Sequence, residues 1–227
     1  MRISVIYEDD YCFVVNKPSN LLVHHSHFAR NIEEDSLVEL LKLQGFESPV
    51  PVHRLDRKTS GLILFSKAKE HVSTFQRLFE SDEIVKSYVA LLRGHVPAEG
   101  VVDSPVKNER GNYKEAITEF RCIEKFECDF VIPPYEKQRY SLVEFIPKTG
   151  RYHQLRIHAN KIAHPIINDP KHGNRHHNHY FEQVLGITEL FLHARRLQFK
   201  HPFTHQLISL QAEFPPHWEQ FIKTSGQ

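Results

Sequence analysis

Cysteine is scarce. The 227 residues hold three, Cys12, Cys122 and Cys128, an odd number with no CxxC pair among them. That argues against a disulfide framework and against a structural zinc site, and it makes the reducing cytosol the expected compartment. Long apolar runs are also missing. No stretch approaches ~18 uninterrupted apolar residues, so no membrane-spanning helix is expected. The first residues meet acid at Glu8 before any apolar h-region forms, and a secretory leader is not expected. Nor is there an excess of one charge sign. Lys plus Arg number 29 and Asp plus Glu 28, a net charge of +1. A uniformly basic nucleic-acid coat is therefore excluded, and any RNA-binding face must come from segregated charge. There is no GxGxxG, no Walker A run, no internal repeat, no low-complexity tract and no obvious linker.

What is present is a chain that is 40% hydrophobic, enough to bury a core in one large domain or two small ones. Residues 3–7 and 11–15 read as short strands, followed by a turn at Asn16-Lys17-Pro18-Ser19-Asn20. Residues 36–44 read as a helix with Leu37, Leu40, Leu41 and Leu43 in a stripe and Asp35 or Ser36 as its cap. Residues 61–65 form a buried strand. Ser66 is placed to cap a helix at 67–80, with Val72, Phe75, Leu78 and Phe79 on one face. Beyond it the period changes to two. Residues 86–92, 115–123, 139–146, 190–199 and 206–213 are strand-like. A helix is expected at 151–162, opened by Thr149-Gly150, and a last one at 215–223, with Pro215 and Pro216 at its start and Trp218 inward. Helices do not alternate regularly with strands. The fold class is therefore α+β, with a mixed, largely antiparallel central sheet and flanking helices. A single domain over residues 1–227 is expected.

The charges are segregated. Residues 53–69 carry five basic side chains (Arg54, Arg57, Lys58, Lys67, Lys69) against Asp56. Residues 148–175 carry six (Lys148, Arg151, Arg156, Lys161, Lys171, Arg175) against Asp169. The first forty residues are rich in acid, Glu33 among them. Two basic segments of this kind are suited to phosphates.

The run His53-Arg54-Leu55-Asp56-Arg57-Lys58-Thr59-Ser60-Gly61 places one carboxylate among three cations in a loop that feeds a buried strand. Cations lower a carboxylate's pKa, and an ionised carboxylate held among them is a candidate nucleophile. Taken alone, the run reads more readily as a turn whose Asp accepts backbone hydrogen bonds.

Two further runs stand in order behind it. One is Lys86-Ser87-Tyr88-Val89-Ala90, followed by Arg93-Gly94. The other is Thr149-Gly150-Arg151-Tyr152-His153-Gln154-Leu155-Arg156-Ile157-His158, followed by His164-Pro165-Ile166. Asn16-Lys17-Pro18 lies upstream, and Leu192-His193-Ala194 and His201-Pro202 lie downstream. Together, over about residues 4–214, these resemble the RluA family of pseudouridine synthases. The resemblance implies an isomerase that converts a uridine in RNA to pseudouridine without metal, redox group or other cofactor. It implies Asp56 as the catalytic residue and Arg54, Tyr88 and Arg156 as substrate-binding residues. Tyr88 would pack on the flipped base, Arg156 would pair with the catalytic Asp, and Arg54 would enter the RNA stack the base leaves. Asp169-Pro170-Lys171-His172-Gly173-Asn174, Phe191–Leu197 and Ile146–Arg151 resemble most the TruC branch, which modifies uridine 65 of tRNA. A monomeric, cytoplasmic enzyme acting on tRNA is the expectation. An rRNA-directed or dual-specificity member of the family is the alternative.

The chain departs from the family where Asn168-Asp169 replaces the usual Gly-Asp. Asn is the best substitute for Gly where φ is positive, so the turn is expected to survive. Rival readings are a metal site at His172, His176, His177 and His179, for which a His-rich surface loop is the blander account; a serine acyl-transfer enzyme built on Ser66-Lys67-Ala68-Lys69 and Lys148-Thr149-Gly150; and a catalytically silent RNA-binding protein on the same fold.

Overall fold

The computed structural model of the chain describes residues 1–25, 34–81, 83–108 and 110–225. Glu33, one of the acids noted above, lies outside them. In chain order the elements are β1 (Ser4–Glu8), β2 (Cys12–Lys17), α1 (Leu37–Leu43), β3 (Val50–Pro51), β4 (Ser60–Ser66), α2 (Val72–Glu80), β5 (Ile84–Arg93), β6 (Glu99–Asp103), β7 (Val106–Lys107), β8 (Tyr113–Lys114), β9 (Ile117–Cys128), β10 (Gln138–Pro147), α3 (Gln154–Lys161), α4 (Arg175–Gln183), β11 (Leu192–Lys200), β12 (Leu207–Gln211) and α5 (Pro216–Ser225). They fall into two compact units. One is Met1–Lys86 with Ala194–Glu213, the other Ser87–His193 with Phe214–Gln227.

In the first unit β1, β2 and β4 lie side by side, antiparallel, and β3 also pairs with β4. β11 neighbours β4 and carries β12 antiparallel to it. β2 and β4 are buried along nearly their whole length. Strands covered on both faces read as continuous apolar runs, which is how Cys12–Val15 and Leu62–Phe65 stand in the sequence. α2 sends Phe75 and Leu78 into the core formed with Val14, Leu62, Leu64 and Phe199. α1 is fixed at its start by a capping box, in which the Ser36 Oγ accepts from the Glu39 amide and the Glu39 carboxylate accepts from the Ser36 amide. Such a cap satisfies two otherwise orphaned donors.

In the second unit β5, β10, β9 and β6 follow one another, each pair antiparallel. The β5–β10 register sets Tyr88 opposite Phe145 and Arg93 opposite Tyr140. The core gathers Leu91, Tyr140, Phe145, Phe181 and Phe191, with Trp218 and Phe221 from α5. Trp218 points inward, as its place in the last helix predicts.

Some elements differ from the sequence expectation. Ser66 ends β4 and does not cap a helix: its Oγ donates to the Ala68 carbonyl at 2.7 Å, and α2 starts only at Val72 after a 3-10 turn at Lys69–His71. Leu43 leaves the stripe of α1 and is exposed. α3 begins at Gln154 because His153 is left-handed (φ 52°), a conformation a helix cannot run through. The His-rich stretch is not a loop but the helix α4, capped by the Asn174 side chain, which accepts from the amides of His176 and His177. β6 was not anticipated.

Candidate active site

Asp56 stands half-buried at the start of a turn closed by the Thr59 amide, which donates to the Asp56 carbonyl at 3.1 Å. The loop around it is tied down at both ends. Upstream, the His53 Nε2 accepts from the Leu64 amide at 3.0 Å, and its ring packs on Phe79. Burial, reinforced by the charge of Lys86, pushes His53 down to about 3, so the ring is a neutral acceptor. Downstream, Gly61 has φ +112°, and a Cβ there would meet the Ala194 carbonyl oxygen at 2.3 Å. The last residue of the signature run is therefore glycine because the backbone of β11 lies against it.

The main support comes from Lys17, the last residue of β2, which is fully buried. Its Nζ donates to the carbonyls of Pro18 (2.8 Å), Leu21 (2.9 Å) and Arg57 (3.0 Å). An ammonium has three donors and no acceptor, so three carbonyls satisfy it. Beside it the Ser19 Oγ donates to the Lys58 carbonyl at 2.7 Å, and the Arg57 Nε donates to the Asn20 carbonyl at 3.1 Å. Asn16-Lys17-Pro18 is thus the clamp on the residues that follow Asp56. Burial pulls Lys17 down to about 7, while the Asp56 charge works the other way and favours the ammonium.

In the second unit Arg156 and Asp169 form a buried, two-pronged ion pair. The Nε donates to Oδ2 and the Nη2 to Oδ1, both at 2.7 Å. Bidentate guanidinium–carboxylate pairs of this kind are short and geometrically specific. The Asp169 Oδ1 also accepts the amides of Lys171 (2.9 Å) and His172 (3.0 Å). Burial alone would raise the Asp169 pKa; the Arg156 hydrogen bonds and charge and the two amides outweigh it and hold the carboxyl below its usual range. The turn preceding it survives the Asn substitution. Asn168 takes φ 60°, and its side-chain amide donates to the carbonyls of Ile187 and Glu189. Gly173 closes the segment, since a Cβ there would meet the Asp169 carbonyl at 2.3 Å.

Asp56 and Arg54 belong to the first unit, Tyr88 and Arg156 to the second. Arg54 is exposed and Arg156 buried. Tyr88 is half-buried on β5 and packs against the second core. Sequence reasoning gave no role to Lys17, Asp169 or His153 and read His172 only as a candidate metal ligand, although each lies in a run it singled out. The signal for Lys17 was its place in Asn16-Lys17-Pro18, a run expected to form the turn after the first apolar strands. Of the basic segments, Arg57 pairs with Glu34, Lys67 with Glu8 and Lys148 with Glu119. Arg54, Lys69, Arg151, Lys161, Lys171 and Arg175 are exposed.

The histidines of the candidate metal segment have separate duties. His177 is buried, with Nε2 accepting from the Arg93 Nε at 3.1 Å and Nδ1 3.1 Å from the Tyr140 hydroxyl. His172 meets His153. His176 and His179 are exposed. Among the described residues, Asp9, Cys12 and His201 lie close enough together to suggest a metal. The His201 Nδ1 accepts the amides of Phe203 and Thr204, which leaves the ring proton on Nε2, the atom 3.2 Å from the Asp9 carboxylate. Burial also pushes the Cys12 thiol far up, away from the thiolate a metal requires. This cluster is a hydrogen-bonded structural knot. The serine acyl-transfer reading also loses its residues to structure. Ser66 is bonded to Ala68, and the Thr149 Oγ1 accepts the Ile117 amide and donates to the Gln154 Oε1.

No described helix is long and apolar enough to cross a membrane. Comparison with known proteins gives a consistent result. The family model described as RNA pseudouridylate synthase matches residues 10–161. Curated relatives named tRNA pseudouridine synthase C are similar along the whole length. That of Pasteurella multocida is 36% identical over 98% of this chain and 96% of that protein. That of Vibrio vulnificus is 34% identical over 97% and 94%. In fold, the chain is similar to human RNA pseudouridylate synthase domain containing 4 (TM-score 0.74, 24% identity, 98% of this chain and 93% of that one) and domain containing 1 (TM-score 0.74, 23%, 94% and 84%). With its signature loop anchored by Lys17 and its Arg156–Asp169 pair buried, the chain belongs to the RNA pseudouridylate synthase family.

Proposed function

We propose that this chain, acting as one catalytic domain, isomerises a uridine of tRNA to pseudouridine, and that the uridine is position 65. The observation that carries the substrate is the full-length similarity to proteins named tRNA pseudouridine synthase C, at 34–36% identity. Asp56 is the nucleophile in this reading, held by a loop whose backbone is clamped from Lys17 and Ser19. Arg54, exposed on the same loop, fills the stack when the base leaves. Extrusion costs a few kcal/mol, which a planar guanidinium recovers in part. Tyr88 packs on the extruded base, and Arg156 is the partner of the catalytic carboxylate in this reading. An Asp56 carboxylate oxygen bonds to the sugar or to the base as the bond from C1′ to N1 breaks, the uracil turns, and the carboxylate is released as C1′ bonds to C5; the C5 proton is lost and N1 gains one. Every atom is conserved, so the reaction needs no co-reactant. We place the protein in the cytoplasm as a monomer.

Mapping pseudouridine in tRNA and rRNA from cells with and without this gene tests the reading. Loss at tRNA position 65 alone is the expected result. Loss confined to rRNA would replace the substrate, and no change at any site would overturn the reading.

A further inference from the structure

The Arg156 guanidinium is held on a second edge as well. Its Nη1 lies 2.7 Å from the His153 Nε2, and the His153 Nδ1 lies 3.0 Å from the His172 Nε2. A guanidinium only donates, so the His153 Nε2 accepts. A neutral His153 then carries its proton on Nδ1 and donates it to the His172 Nε2. One bond fixes the next, from Asp169 through Arg156 and His153 to His172. The backbone serves the same end. His153 adopts φ 52° and makes no side-chain cap to α3, a conformation uncommon for a residue with a Cβ and found where surroundings impose it. The Tyr152 ring stacks on His153 with centroids 3.8 Å apart and planes 16° from parallel. The His172 ring stands edge-on to His153 at 88°. The His172 amide in turn binds the Asp169 carboxylate at 3.0 Å, which closes the circuit.

We infer that His153 and His172 are positioning residues for this reaction: as a neutral pair they pin the second edge of the Arg156 guanidinium, which Asp169 holds by the first. The inference rests on the role proposed above for Arg156. Asp169 holds the edge formed by Nε and Nη2. With His153 added, a charge-assisted bond fixes the Nη1 edge, and His172 fixes the His153 tautomer that can accept it.

The test uses the full chain and unmodified tRNA. His153→Phe keeps a ring for Tyr152 and removes the acceptor; His153→Gln keeps an acceptor that can reach the Nη1. His153→Phe is expected to lower kcat roughly tenfold, the rate equivalent of one charge-assisted hydrogen bond, with KM and tRNA Kd unchanged within about twofold. His153→Gln is expected to recover most of kcat. Should His153→Phe fail to fold, His172→Phe and His172→Gln at the half-exposed second ring give the same contrast. Equal kcat in both substitutions, or a change that falls on Kd instead of kcat, overturns the inference while leaving the function intact. A wild-type chain that makes no pseudouridine in any RNA overturns the function first.

Discussion

Replacing Lys17 with methionine tests the support beneath Asp56, and the sign of its pH dependence follows from the burial. Lys17 is buried and falls from 10.5 to about 7. Below about pH 7 the folded and unfolded chains both carry this proton, and the fold bears the full cost of the buried charge. Between about 7 and 10.5 the unfolded chain holds one proton more, so folding stability rises with pH through that window. The slope is about 1.4 kcal/mol per pH unit, and the whole window is worth roughly 5 kcal/mol. Methionine removes this dependence. It also strips the donor from the carbonyls of Pro18, Leu21 and Arg57, at about 1–3 kcal/mol for each carbonyl left unsatisfied. The neutral amine above pH 7 keeps two of its three N–H donors, so most of that second loss persists across the range. Urea unfolding of wild type and Lys17→Met from pH 6 to pH 10 therefore gives a stability difference that widens in favour of wild type above pH 7. Other titrating groups are common to both proteins and cancel. Parallel stability curves over this range would refute the assignment of a buried, strained charge at Lys17.

Asp169→Asn breaks a buried ion pair from one side and is expected to destabilise the chain by about 3–5 kcal/mol; a loss below ~1 kcal/mol in urea unfolding would show that Arg156 is held by something else. Since the Asp169 pKa is depressed in the fold, its contribution is present above the ordinary carboxylate range and is lost as pH falls through the folded value. Gly61→Ala drives a Cβ to 2.3 Å from the Ala194 carbonyl, whereas Gly45→Ala has a similarly positive φ but open space around it. Gly45→Ala should cost about 1 kcal/mol from backbone strain and Gly61→Ala several times that; equal thermal shifts would remove the steric argument. Arg54→Ala, at an exposed site, is expected to lower kcat/KM about tenfold on folded tRNA and to spare an unstructured oligonucleotide, because extrusion is cheaper from a single strand. Equal losses on both substrates would contradict a stacking role.

What the sequence discloses of this protein is what lies contiguous in it. The run from His53 to Gly61 is legible because its nine residues are contiguous, a loop that runs into β4, and the apolar strands and the Ser36 cap are legible from local pattern. Relations across distance are not. Arg156 and Asp169 stand thirteen residues apart, and no periodicity joins them. Lys17 reads as a surface residue, since lysine is almost never fully buried; only the three carbonyls around it explain its place. α4 reads as a polar loop because only His177 and Phe181, one turn apart, turn inward. The left-handed turn at His153, which aims its ring at Arg156, has no signature in its residue type. Asn168, by contrast, was readable as a positive-φ position because Asn is the side chain that tolerates one.

Substitution of Asp56 by asparagine tests the central claim most directly. The variant keeps the size and hydrogen-bonding reach of the side chain and leaves the clamp from Lys17 and Ser19 on the following backbone in place. Tritium released from 5-labelled uridine in tRNA reports turnover, and filter binding reports affinity. The account predicts that release falls by roughly 10³ or more, as for removal of a nucleophile, while tRNA Kd stays within about threefold. Near-normal release by Asp56→Asn would contradict it.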